Sequence, residues 1–230
     1  MEPSGHGDGL GGRRDRSREL AEAEALVRAA RRQGVTDARV LEAVRSVPRG
    51  AFVPEEAKGE VGYDFAIPIG RSQTTSQPSL IALMIEALGL EGNETVLEVG
   101  TGYGYETALL ARLARRVLSV ERIAELAEVA RSNLAAAGVA NAQVVIGDGT
   151  LGLPDFAPYD AVVVAAAFHD VPAPLGAQLA SGGRLVMPVG NGGGDLVKVF
   201  EKRGGELVEL RVLCRARFVP LLGENGFRSP

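Results

Sequence analysis

Three glycines at alternating positions, Gly100, Gly102 and Gly104, sit in the run Val96-Leu-Glu-Val-Gly-Thr-Gly-Tyr-Gly-Tyr105. A short β-type run leads into them and a helical pattern leads out. Glycine permits positive φ and close approach of the backbone to a ligand, so such a turn is suited to cradle a small molecule. Glu121 closes the next β-type run, 21 residues after Gly100. An acidic side chain there can accept hydrogen bonds from two ribose hydroxyls. A second glycine turn, Gly147-Asp148-Gly149, follows the third run. Asp148 could accept from an adenine amino group while the glycines let the backbone reach the ring edge. Taken alone, such a turn is common.

Two cofactor classes use this layout. Dinucleotide sites want a third glycine at the sixth position of G-x-G-x-x-G, which is Tyr105 here. They also want a second mononucleotide-binding half, and only about 40 residues follow the fifth strand of this pattern. S-adenosylmethionine carries no phosphate and needs no pyrophosphate cradle. Both features favour S-adenosylmethionine over a nicotinamide dinucleotide.

The elements that must position these groups alternate. Thr95–Val99, Val117–Glu121, Gln143–Ile146, Asp160–Ala165 and Arg184–Val189 read as strands. Helical patterns separate them at about Tyr105–Leu113, Ile123–Ala137 and Pro172–Leu179. This alternation predicts an α/β fold with a mostly parallel sheet and helices on both faces. Near-continuous apolar runs such as Ala161–Ala166 fit strands buried on both sides. Leu196–Glu201 and Glu206–Cys214, separated by Lys202-Arg-Gly-Gly205, predict a closing antiparallel hairpin. Upstream, helices are expected from Ser17 to Gly34, from a Thr36 cap to Val47, and from Pro78 to about Leu88. Residues 48–78, rich in Pro and Gly, read as a long structured loop without a regular element. Residues 1–16 read as a disordered tail, and 17–230 as one domain: an entry region to about 90, a core to about 190, and a closing hairpin.

Composition limits the function. Apolar residues are 46% and charged residues 23% of the 230, as in globular proteins. A net charge of −4 argues against a nucleic-acid partner. The longest wholly apolar run, Ala161–Phe168, is too short for a membrane span, which needs about 20 residues. No apolar stretch marks the N-terminus as a secretion signal, so a cytoplasmic setting is expected. One cysteine, Cys214, and two histidines make a poor metal-site inventory. Cys214 reads as a small core residue and His169 as a loop or capping residue. The interleaved Arg and Glu of residues 13–32 read as a solvated helix face.

These residues resemble the protein-L-isoaspartate (D-aspartate) O-methyltransferase family. The likeness runs from about Val47 to Leu221 and is carried by VPRGAFVP, IPIGRSQTTSQP, VLEVGTGYGYETALLA, SVERIAELAEVAR, GDG, APYDAVVVAAA, QLASGGRLVMPVG and RFVPL. The glycine loop alone says only "methyltransferase"; Ile67–Pro78 carries the specific part. The resemblance implies a class I methyltransferase, Rossmann-like fold. It implies S-adenosyl-L-methionine as cofactor, isoaspartyl peptides and proteins as substrates, a monomer, and a role in protein repair. It places Ser76 at the active site, with Thr74 and Thr75 lining the cleft. Glu98, Gly100, Thr101, Gly102, Tyr103 and Gly104 would hold the methionine end of the cofactor. Glu121 and Arg122 would lie at the ribose, Asp148 and Gly149 at the adenine. Arg217–Leu221 would border the peptide.

Some positions depart from the family pattern. Tyr103 stands where Ser is usual and must point away from the cofactor or stack on it. Arg71 and Ser72 replace the usual x-Gly, and Phe168-His-Asp170 stands where Ala-Pro-Glu is frequent. Two further readings stay open: a methyltransferase of the same fold with another acceptor, and a non-catalytic S-adenosylmethionine-binding module. Ser76 itself could serve as the N-cap of the helix at Pro78.

Overall fold

A computed structural model describes residues 11–191 and 193–228. The expected tail lies outside these residues only up to position 10. Helix α1 already starts at Gly11 and runs to Gln33, six residues beyond the expected boundary. The Glu, Ala and Leu from Ser17 onward are strong helix formers, and once their helix exists each residue added toward the N-terminus gains a hydrogen bond without a new nucleus. Helix α2, Ala38–Ser46, is capped by Asp37 rather than Thr36: the Asp37 carboxylate accepts from Arg39 N. Thr36 and Asp37 instead donate their backbone N–H groups to the Glu86 carboxylate, across 50 and 49 residues.

Residues 48–78 are more regular than their composition suggests. Two 3-10 turns, Arg49–Phe52 and Glu55–Glu60, lead into an antiparallel hairpin, β1 Ile67–Gly70 and β2 Gln73–Thr75. Short strands interrupted by Pro and Gly carry too few alternating positions to read as a sheet. The turn uses Arg71 at φ 52° and Ser72 at φ 56°, the left-handed region that glycine usually fills. Helix α3, Pro78–Leu88, follows and ends on Gly89 at φ 68°.

The main sheet has seven strands: β3 Thr95–Val99, β4 Arg116–Glu121, β5 Ala142–Ile146, β6 Tyr159–Val164, β7 Leu179–Val189, β8 Asp195–Arg203 and β9 Glu206–Ala216. Their spatial order is β5-β4-β3-β6-β7-β8-β9. The first five are parallel, and β8 and β9 continue as the expected antiparallel hairpin. Helices α4 Tyr105–Ala111, α5 Ala124–Ala136 and α6 Ala173–Gln178 connect them. Alternate strand residues feed two cores. Val96, Val117, Ala161 and Val186 pack with α1 to α5, while Leu97, Leu118, Val162 and Leu185 pack with α6 on the opposite face. The two neighbours of β3 in the order are β4 on one side and β6 on the other. The strand order therefore reverses at β3, and ligands of open α/β sheets bind at the carboxyl end of such a point. Among the described residues, no helix is long and apolar enough to cross a membrane.

Candidate active site

One cleft opens at that point. It encloses about 890 Å³, part of it open to solvent, within the usual size range of small-ligand sites. The glycine loop forms its floor, through Gly100, Thr101, Gly102 and Tyr103. The β1–β2 hairpin covers it with Ile69, Gln73, Thr74, Thr75 and Ser76, and Val219–Leu222 closes the far side. The loop must be glycine where it is. Gly100 has φ 101°, and a Cβ there would lie 3.3 Å from the Ala165 Cβ. A Cβ on Gly149 would lie 2.4 Å from Val99 Cγ1.

Glu121 ends β4 with its carboxylate tied to the loop. Oε2 accepts from Gly102 N at 2.9 Å and Oε1 from Ile123 N at 2.9 Å. Glu121 and Arg122 both line the cleft. Tyr103 also lines the cleft, and its carbonyl accepts from Asn133 Nδ2.

Two expected positions differ. Glu98 is fully buried and is not part of the cleft lining. The two-residue alternation of β3 puts it on the face of Val96, beneath α4, where its Oε2 accepts from Thr107 Oγ1 at 2.5 Å. Burial pushes its pKa up to about 7, with the Glu121 charge adding to the rise and the Thr107 and Ser119 hydroxyls opposing it. Asp148 likewise does not line the cleft, although Gly149 does. Its Oδ1 caps the 3-10 turn Gly149–Leu151 by accepting from Thr150 N and Oγ1, and its Oδ2 accepts from Glu224 N at 2.7 Å. Burial raises its pKa, but the bonds from Glu224 and Thr150 outweigh burial and hold the carboxyl below its ordinary value. Of Arg217–Leu221, the cleft takes Val219, Pro220 and Leu221. His169 is exposed and packs against Phe227, outside the cleft lining.

Ser76 is not a helix cap. Gln77 occupies the N-cap position of α3 without a side-chain cap bond. Asp64 does the capping from outside the helix: it accepts from Ser79 N at 2.9 Å, Ser79 Oγ at 2.8 Å and Gln77 Nε2 at 2.8 Å. Asp64 thus leaves the Ser76 hydroxyl available to the cleft. The segment bearing Asp64 is itself held by Arg49. That guanidinium is buried, and donates to the carbonyls of Tyr63 at 2.7 Å and Phe65 at 2.7 Å. Burial lowers its pKa from the ordinary arginine value.

Asp64, Arg49 and Glu106 also shape the site. The first two act through bonds across 12 to 16 residues, which no local pattern encodes. Glu106 lines the cleft, yet its Oε1 is buried without a partner. Burial, with the Glu98 charge behind it, raises its pKa well above the ordinary carboxylate value. The acidic residue directly after a glycine loop and Tyr105 was a signal that could have marked it. A cradle that excludes Cβ atoms, an orphaned buried carboxyl oxygen and the Glu121 carboxylate at the end of β4 together suit an adenosyl cofactor such as S-adenosylmethionine.

A model of the family described as protein-L-isoaspartate(D-aspartate) O-methyltransferase matches residues 21–226. A protein-L-isoaspartate O-methyltransferase from Methanoculleus marisnigri is 49% identical over 201 residues, covering 86% of this chain and 90% of its own. One from Myxococcus xanthus is 50% identical over 196 residues, covering 84% and 92%. The solved structure of a protein-L-isoaspartate O-methyltransferase superposes with TM-score 0.79 at 32% identity, covering 88% of this chain and 66% of the other. A Plasmodium falciparum chain solved in complex with S-adenosyl-L-homocysteine shares the fold at TM-score 0.75 and 22% identity, covering 86% and 96%.

Proposed function

The chain belongs to the protein-L-isoaspartate(D-aspartate) O-methyltransferase family, and from that premise we propose how its own residues carry out carboxyl methylation. The enzyme methylates the free α-carboxylate of L-isoaspartyl residues in damaged peptides and proteins, with S-adenosyl-L-methionine as methyl donor. The next backbone nitrogen then attacks the methyl ester, loses its proton and expels methanol to give a succinimide, which water opens in part to normal aspartate. That sequence starts repair.

S-adenosylmethionine supplies a methyl group on a positively charged sulfur. The substrate carboxylate resembles a chain terminus, with a pKa of about 3.3–3.7, and is already ionised at pH 7. No general base is required of the protein, which accounts for a cleft lined by no histidine among the described residues. The task left to the chain is alignment and exclusion of water, and orientation alone can lower a barrier by about 7–11 kcal/mol. The Ser76 hydroxyl donates to one oxygen of the carboxylate and leaves the other to attack. Thr74 and Thr75 line the approach. Glu121 and Arg122 would hold the ribose end of the cofactor, and Gly149 would admit the adenine edge. Phe52, Ile81 and Ala166 supply apolar walls that keep water from the reacting atoms. The enzyme acts as a monomer in the cytoplasm.

The observation that carries this reading is that Ser76 and the glycine loop line one cleft. The test is incubation with methyl-labelled cofactor and matched aspartyl and isoaspartyl peptides. Base-labile label on the isoaspartyl peptide alone is expected. Label on both peptides points to another acceptor, and cofactor binding without transfer points to a binding module.

A further inference from the structure

Tyr63 and Phe65 are large aromatic side chains left 62% and 42% exposed. Their rings stack, with centroids 5.9 Å apart and planes 16° from parallel. The backbone beneath them is held firmly. Arg49 donates to both of their carbonyls, and Asp64 between them is bound to Ser79 and Gln77. A buried guanidinium spent on fixing an exposed aromatic pair needs a reason beyond the core, because neither ring contributes to it.

Hydrogen bonds fix where this pair sits. Asp64, between the two rings, accepts from Gln77 Nε2 at 2.8 Å and Ser79 N at 2.9 Å, and so ties the pair to the segment that carries Ser76 into the cleft. Ala66 and Pro68 are exposed while Ile67 and Ile69 face inward. Exposed Ala66 and Pro68 thus continue the apolar surface from the aromatic pair along the hairpin that covers the cleft.

We propose that Tyr63 and Phe65 form a docking platform for an apolar side chain of the substrate peptide, within two residues of the isoaspartyl residue. This inference rests on the carboxyl-methylation reading. A peptide whose isoaspartyl carboxylate meets Ser76 must leave the cleft on both sides, and one exit passes over Ala66. Two stacked rings suit one side chain. They offer far less than the roughly 800 Å² per partner of a stable protein–protein interface, so a second folded protein is not the occupant. The pinned backbone presents the rings without a fresh ordering cost on binding.

Steady-state methylation by the full chain tests this, using isoaspartyl hexapeptides with Leu or Ser at the flanking positions. The wild type should show about tenfold lower KM for the Leu peptides, as half-burying a leucine side chain would give. The double variant Tyr63→Ala, Phe65→Ala should lose that preference by raising KM for the Leu peptides alone, with kcat and the affinity for S-adenosylhomocysteine unchanged. Tyr63→Phe, which keeps the stack, should retain it. A wild type blind to the flanking residue overturns the platform, as does a double variant that raises KM equally for both peptide sets. A wild type that methylates no isoaspartyl peptide overturns the parent reading, and the platform with it.

Discussion

The two walls of the cleft are built by different physics. The floor grows out of a parallel sheet. Strands β3 and β4 are paired along their length, their residues are almost wholly buried, and the glycine loop hangs from the Glu121 carboxylate. The opposite wall, from Arg49 to Ser76, has 3-10 turns, a small hairpin and many exposed residues. It is held by individual side chains reaching distant backbone: Arg49 to Tyr63 and Phe65, Asp64 to Ser79. The first wall is redundant and the second is clasped at points. Damage to the sheet wall should therefore appear in cofactor binding, and damage to the clasped wall in transfer to substrate.

Arg49→Ala should have the largest effect. Two carbonyls lose their donor, which costs about 2–4 kcal/mol of stability, read by denaturant unfolding. Methyl transfer should fall more than affinity for S-adenosylhomocysteine. Arg49→Lys should not restore it, because a point ammonium lacks the fork that serves two carbonyls at once. Equal losses in binding and transfer would dissolve the distinction between the walls.

Gly149→Val tests the other wall. Its Cβ would meet Val99 Cγ1, and overpacking of this kind is worth about 1–3 kcal/mol, or up to roughly 100-fold in cofactor affinity. Calorimetry with S-adenosylhomocysteine reads it directly. Ser76→Ala should lower kcat about 30-fold, in line with losing one donor to a charged oxygen, while the cofactor Kd changes less than twofold. A matching loss in Kd would move Ser76 to the cofactor side.

The pH dependence isolates the sheet wall. Glu98 is buried and its pKa is raised from 4.5 to about 7, chiefly by burial. The folded state then holds a proton that the unfolded chain releases between those values. Stability should accordingly be full below about pH 4.5, fall as pH rises toward 7, and level off above. Glu106 is raised in the same direction. Replacing both by Gln should flatten the decline in thermal midpoint between pH 5 and 8, by roughly 5–10 degrees, since the Glu98 shift alone corresponds to about 2.5 kcal/mol over that range. A slope that survives both changes would place the proton elsewhere. The smallest effect belongs to the hairpin turn. Ser72→Gly relieves a left-handed residue and should add about 0.5 kcal/mol, with no change in cofactor affinity.

The sheet wall was legible in the sequence because its information is local. Strands β3 to β8 lie within a few residues of the apolar runs that marked them, and the loop glycines were visible by spacing alone. Glu121 was legible for the same reason, as the acidic residue closing a strand. Glu98 shows the limit of that reasoning. It lies two residues before Gly100, yet strand alternation turns it beneath α4 and away from the cleft lining. Asp148 shows another limit: its carboxylate caps its own turn and takes the Glu224 N–H from 76 residues away. The hairpin at 67–75 is not legible in the sequence, because Pro68, Gly70 and a left-handed turn break the alternation that would announce strands.

By itself the sequence determined the order of elements, the parallel sheet, the place of the glycine loop and the family signature around Ser76. These follow from periodicity and residue type, which act over a few positions. Only the tertiary structure decided which carboxylates reach the cleft, and that Glu106 is among them. It also decided that Asp64 caps α3 in place of Ser76, and that a buried Arg49 holds an aromatic pair beside the mouth. These depend on side chains meeting across many residues, where packing and desolvation choose the partners and chain order carries no record of the choice.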